Sequence, residues 1–288
     1  MLIRYYFTIN LLTALILCAI TSITAKADSV TENSAVIEET SGAVTTKKAF
    51  DRYSANYYAI LYGPSIGQPG SLQSNSKGVL DPERPIIVKN YISLGYGITE
   101  NIGISGTGYW MWKPVRGQYM DLRDPYLRLS HNQLLHSEKF NLYADARAHF
   151  AVSDVSRSND LLTGFQSFQI TTLQIGDTPI MLGSYTSIRY NVFGSQGIGS
   201  DLELYFGPNF NFQIKKNLAL SILYEMGASH IFGDDFFSLI NDGTDLQPGV
   251  LWEVTPNLLL NPYLTLYTGD RVTLTSTSFG MTLSWQLL

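Results

Sequence analysis

Between Leu202 and Ile214 the chain alternates without a break. Leu202, Leu204, Phe206, Pro208, Phe210, Phe212 and Ile214 fall on one side of an extended backbone. Glu203, Tyr205, Gly207, Asn209, Asn211 and Gln213 fall on the other. A helix would scatter these residues around its axis, so a period of two means a strand with one apolar and one polar face. The same pattern recurs at 142–152, 180–192 and 279–287. Along the whole chain it predicts twelve strands, at 53–64, 86–98, 102–113, 121–131, 139–152, 162–175, 179–193, 200–214, 217–231, 246–255, 258–268 and 273–288.

The links between these segments also alternate. Thr99-Glu100-Asn101, Gly176-Asp177-Thr178, Lys215-Lys216-Asn217 and Thr255-Pro256-Asn257 are turn-length, whereas 65–85, 114–120, 153–161, 194–199 and 232–245 are long and polar. The 131–138 link is of middling length, and Gly269-Asp270-Arg271 breaks the alternation. A soluble sandwich or lipocalin-like barrel would expose a charged outer face. Here only 15% of residues are charged, against roughly 25% in soluble domains. The polar face is instead rich in Ser, Thr, Asn, Gly and Tyr, as suits a water-filled interior. The clusters Tyr57, Tyr58 and Tyr62, then Tyr109, Trp110 and Trp112, then Tyr263 and Tyr267, are read as interfacial girdles. Lipid offers no partner to an unpaired strand edge, so such a sheet must close. The expected fold is all-β: a transmembrane antiparallel up-and-down β-barrel of about 12 strands.

The N-terminus carries an export address. Arg4 precedes the apolar run 11–20, and Ala25-Lys26-Ala27 offers a small-x-small cleavage site. Ten apolar residues are too few for a spanning helix, which needs about 20. Residues 1–27 are therefore read as a signal peptide cleaved near Ala27. Its removal takes away Cys18, the chain's single cysteine, together with Arg4 and Lys26. Residues 28–50 form a periplasmic N-terminal segment, either a flexible tail or a plug, ahead of a barrel over 51–288. An acidic chain, with net charge −5, lacks the basic face of a nucleic-acid binder.

The last strand carries a motif. Ser278-Phe279-Gly280-Met281-Thr282-Leu283-Ser284-Trp285 resembles the signal that the bacterial outer-membrane assembly machinery reads, with Gly280, Leu283 and Trp285 at its marked positions. The chain departs from that pattern by ending on Gln286-Leu287-Leu288 and not on an aromatic. The resemblance is to bacterial outer-membrane β-barrels, porin-like and without a specific family. It implies an integral protein of the cell outer membrane whose partners are membrane lipid, lipopolysaccharide and the assembly machinery.

Parity along the strands then places a small set of ionisable residues inside: Lys89, Arg128, Arg147 and Arg189, with His149 beside Arg147, and Asp145, Glu203, Glu225 and Glu253. The arginines come from strands four, five and seven and the glutamates from eight, nine and ten. That order predicts two facing charged walls, which either select small hydrophilic solutes or pair to close the lumen. The expected function is passive diffusion through a porin-like channel. A closed structural or adhesive barrel binding lipopolysaccharide or a partner through its loops is the alternative, and a surface hydrolase a minor one. No cofactor, metal motif or catalytic set is expected. His131 and His136 lie toward the periplasmic turns. His230 has lipid-facing parity, opposite to its neighbour Ser229. His149 stands four strand residues, about 13 Å, from Asp145, and its spacing to Asp154 promises no hydrogen bond. Asp234, Asp235, Asp242 and Asp245 are read as a solvated acidic loop around Phe236 and Phe237.

Overall fold

The computed structural model describes residues 52–67, 72–73, 80–81, 86–115, 119–235, 238–267 and 272–288. The signal peptide, the segment 28–50, Phe236 and Phe237 lie outside them. Twelve strands make the wall: β1 (Tyr53–Ser65), β2 (Ile87–Gly97), β3 (Ile102–Lys113), β4 (Tyr126–His136), β5 (Phe140–Phe150), β6 (Leu161–Gln174), β7 (Ile180–Phe193), β8 (Ser200–Lys215), β9 (Leu218–Ile231), β10 (Leu239–Thr255), β11 (Leu258–Tyr267) and β12 (Thr277–Gln286). Each pairs antiparallel with its sequence neighbour. β12 also pairs with β1, from Asn56↔Gln286 to Tyr62↔Gly280, so the ring is closed. The C-terminus is fastened to this seam, the Leu287 amide donating to the Ala55 carbonyl at 2.7 Å.

Two strands depart from the sequence pattern. β4 begins at Tyr126, after Pro125, and not at 121. Tyr119–Leu122 instead pairs with the upper part of β3, so the chain doubles back above the ring before β4 starts at Thr107↔Tyr126. β4 then runs on to His136, which shortens the next link to a tight turn. β10 begins at Leu239, seven residues earlier than the alternation showed. A register shift at Gly227/Ala228 breaks the period there, and Asp242 and Asp245 enter the barrel wall. The link 268–276 is longer than its three turn residues suggested, because β12 starts only at Thr277. All five turn-length links therefore lie on one rim with the start of β1 and the end of β12, and the long links lie on the other.

The faces are inverted relative to a soluble protein. Outward positions are apolar and bare: Leu94 is 66% exposed, Leu127 48% and Leu220 47%. Inward positions such as Ser93, Thr107, Asp145, Ser187 and Asn211 are buried. Exposed Tyr53, Tyr96, Trp252 and Trp285 ring the short-turn end, and Trp112 stands at the other. This is the girdle arrangement, but with different members from those expected. The ladder puts Tyr58, Tyr62, Tyr109, Tyr263 and Tyr267 on the lumen face, the face of Ser93, Thr107 and Asp245. Of the expected set, Tyr57, Trp110 and Trp112 face outward.

Candidate functional site in the barrel lumen

Residues directly opposed in an antiparallel ladder share a face. One rung line runs through Ser105, Arg128, Arg147, Gln166, Arg189, Glu203 and Ser229 across β3 to β9. The three arginines thus stand on neighbouring rungs of one arc. Facing walls of opposite charge are not what forms, because Arg189 and Glu203 are opposed neighbours on the same arc. The glutamates also sit at three heights. Glu203 lies near the long-link end of β8, Glu225 midway along β9, and Glu253 exposed beside the turn at 256–257.

The charges of the arginine arc are tied within the wall. Arg147 donates from Nε to Asp145 Oδ1 at 2.8 Å and from Nη2 to Oδ2 at 2.9 Å. Tyr143 donates to the same carboxylate at 2.8 Å. The guanidinium lies 4.7 Å above the Phe168 ring and 5.3 Å from that of Tyr126. A buried charge is costly unless paired and hydrogen-bonded, and here the Asp145 side chain has no exposed surface. Arg128 donates from Nε to Ser105 Oγ at 2.9 Å. Arg189 donates to Asn191 Oδ1 at 2.9 Å, and Asn191 passes the contact to Glu203 Oε1 at 3.1 Å. His149 packs against Tyr126, 4.9 Å between centroids, and its Nε2 meets Gln166 Oε1 at 2.9 Å. Among the hydrogen bonds of His149 neither Asp145 nor Asp154 appears, and Asp154 lies on a short helix, α1 (Asp154–Ser158), in the β5–β6 link.

The opposite arc is built of tyrosine. Tyr91 and Tyr109 stack at 4.4 Å with 11° between their planes, and Tyr58 lies 5.8 Å from Tyr91. Lys89 Nζ sits 3.4 Å from Tyr62 Oη and 4.9 Å from its ring centre. Several tyrosines lie flat on inward glycines. A Cβ at Gly207 would stand 2.2 Å from the Tyr185 ring, at Gly227 2.8 Å from that of Tyr205, and at Gly280 2.4 Å from that of Tyr263. Gly280, singled out as part of an assembly signal, therefore has a packing reason as well. Leu283 and Trp285 face away from it on the lipid side, Trp285 being 47% exposed.

Laid across Gly207, Tyr185 reaches past β8 and donates its hydroxyl to Glu225 on β9. Asp245 stands directly opposite Glu225 in the ladder and accepts from Gln247 at 2.9 Å. Asp242 accepts from Ser229 at 2.8 Å. Sequence reasoning placed both aspartates in an external loop. Only Asp234 and Asp235 of that acidic group lie in the β9–β10 link.

The long-link rim is stapled by buried acids. Asp124 accepts from the Val152 and Ser153 amides at 2.9 Å each and from the Ser156 hydroxyl. Burial alone would raise its carboxyl, but these bonds outweigh burial and hold it below the ordinary carboxylate value. Asp160, at φ +53, accepts from the Gln196 amide at 2.9 Å. His230 Nδ1 meets Asp201 Oδ1 at 2.5 Å, and its Nε2 meets the Asp235 carbonyl at 2.9 Å. His230 has the outward parity expected from its strand, yet is buried under this clasp. Ser229 points inward to Asp242, so the two do not form a Ser–His pair. His131 sits on β4 and His136 at its end.

No protein-family model and no curated protein matches the sequence. Solved structures do match the fold. The chain superposes on the COG4313 outer membrane channel from Pseudomonas putida F1 with a TM-score of 0.53 and 11% identity, covering 87% of this chain and 99% of that one. The KdgM porin in complex with disordered oligogalacturonate matches at a TM-score of 0.45 with 8% identity, over 81% and 98% of the two chains. The NanC porin matches at 0.45 and 8%, over 80% and 97%. The chain has the closed twelve-stranded barrel fold of outer-membrane channels.

Proposed function

We propose that this chain is an integral outer-membrane channel that lets small hydrophilic solutes diffuse passively through its lumen, without a cofactor or a catalytic step. The observation that carries the reading is the inversion of faces around a closed ring. Bare leucine, isoleucine and phenylalanine outside require lipid, and a charged and hydroxylated interior requires water or internal pairing. The likeness of the fold to an outer-membrane channel supports this. Lys89, Arg128, Asp145, Arg147, His149, Arg189, Glu203, Glu225 and Glu253 would line the path. Gly280, Leu283 and Trp285 would present the last strand to the assembly machinery, after removal of a signal peptide near Ala27.

A second reading, a closed structural barrel, is favoured by one feature. The arc from β4 to β8 is filled by the Tyr143, Asp145, Arg147 and Phe168 packing. Single-channel recording of the refolded mature chain in a planar bilayer separates the two. The channel reading expects discrete conductance steps from a species that shifts in gel mobility on boiling. A barrel that shifts on boiling yet passes no current would leave only the structural reading.

A further inference from the structure

The charged residues that reach toward the middle of the lumen are not the arginines. Lys89 leaves β2 and Glu225 leaves β9. In a ring of twelve these strands lie five steps apart one way and seven the other, so they stand nearly opposite. Even so, the Lys89 ammonium is close enough to act electrostatically on the Glu225 carboxyl. Tyr62 holds Lys89 from β1, and Tyr185 holds Glu225 from β7. Tyr263 on β11 interacts electrostatically with Tyr62, Glu225, Asp245 and Tyr267. Six strands thus send side chains into the interior around these charges. The charge there is unequal, with two carboxylates, Glu225 and Asp245, directly opposed on β9 and β10, against one ammonium. By contrast Arg147 is engaged twice by Asp145, and Arg189 is bound through Asn191 to Glu203 on its own arc.

We infer that Lys89, Glu225 and Asp245 form the constriction that sets solute selectivity, and that it favours small cationic solutes over anions, while the arginine arc serves the wall. This rests on the channel reading above. A solute leaving bulk water among these groups has little solvent left to screen it, so fixed charges there act more strongly than charges pinned along a wall. Neither Asp245 nor the lysine–tyrosine contact is legible in the alternation. The first lies beyond the strand start that the sequence showed, and the second depends on which strands face each other.

The test is the reversal potential of refolded mature protein in a potassium chloride gradient at pH 8.5, with boiling-dependent gel mobility confirming that each variant has closed. The unaltered protein should prefer potassium over chloride. The double change Glu225→Gln with Asp245→Asn should lower that preference about threefold or more, and Lys89→Met should raise it by a similar factor, as Coulomb energies of order 1 kcal/mol allow. Arg189 lines the path but is bound through Asn191 to Glu203 on its own arc, so Arg189→Gln should shift the preference far less than either change. Opposite shifts in two closed variants cannot come from loss of folding. A conducting protein whose preference follows Arg189 and ignores Lys89, Glu225 and Asp245, or that prefers chloride, overturns the inference and leaves the channel reading intact. A closed barrel without conductance overturns both.

Discussion

The arc from β4 to β8 and the arc from β10 through β12 to β1 are built on opposite principles. Apart from register shifts between His131 and Leu135 on β4 and past Val192 on β7, the first holds its ladder rung by rung. β6 and β7 pair without interruption from Met181↔Gln174 to Val192↔Thr163, and on neighbouring β5 the inward Arg147 and Asp145 are locked together by charge-assisted bonds. The second carries Pro248 and Pro262 on adjacent strands. Between Leu246↔Leu266 and Trp252↔Leu260, the one paired position of β10 and β11 is Gly249↔Tyr263. Proline has no N–H to give a ladder, so that seam relies on Tyr263 lying against Gly249 and Gly280. Closure alone does not make a barrel uniform. One side is stiffened by ion pairs that need a dry, well-packed setting, and the other by ring-on-glycine contacts that replace lost backbone bonds.

The sharpest way to break this contrast is to remove one partner of the buried pair. Asp145→Asn should leave Arg147 without its counter-charge and turn one of the two oxygens that Arg147 and Tyr143 share into a donor, and loss of one partner from a buried pair costs about 3–5 kcal/mol. The expected result is a marked fall in the temperature at which gel mobility shifts to that of the unfolded chain. A Phe279→Leu change, outward-facing on the other arc, should shift it far less. If the two changes cost the same, the distinction between the arcs is wrong.

The seam gives a second, smaller effect. Deuterium exchange in detergent should be faster by about tenfold or more at the amides of Val250, Leu251, Leu264 and Thr265 than at those of Gln166 to Ile170, because the former sit where rungs are missing. Pro262→Val restores a donor at a backbone already extended and should slow exchange locally. Uniform protection around the ring would mean that the tyrosine contacts fully replace the lost bonds.

Much of this contrast was legible beforehand, and the residues show why. Parity in strands such as Leu202 to Ile214 reports the local backbone and the solvent on either side, so it located strands and their faces. What it could not report is which rung a residue occupies. Arg189 and Glu203 belong to different strands in the list, and only the β7–β8 register makes them neighbours. Tyr58, Tyr109 and Tyr263 read as girdle residues because tyrosine suits both an interface and a polar lumen, and strand parity was not applied to them. Asp242 and Asp245 were lost where a register shift interrupts the period. The glycines at 207, 227 and 280 take their meaning from a tyrosine ring on the neighbouring strand, which no reading of a single strand contains.

The long-link rim extends the comparison, and its effect is the smallest. Asp124 ties the β3–β4 link to the backbone at Val152 and Ser153 and to Ser156, so the stapled links stand above the ion-paired arc. Its carboxyl is held below the ordinary value of 3.8. A group with a depressed folded-state pKa contributes its stability above the unfolded value and loses it as pH falls through the folded one. The tether should therefore be complete at pH 5 and above, and release only when pH drops below the ordinary carboxylate range. Asp124→Asn should mimic that release at neutral pH, with a local cost of about 1.5–3 kcal/mol for the lost charge-assisted bonds. Limited proteolysis of the 151–160 link reads this directly, with cleavage expected in the variant at pH 7 and only below pH 4 in the unaltered chain, using an acid-stable protease there. Global unfolding should barely move, since the link lies outside the ring. Were Asp124→Asn to lower the unfolding temperature as much as Asp145→Asn, the staple would be part of the ion-paired arc itself, and the stiff side of the barrel would extend from the lumen up through its rim.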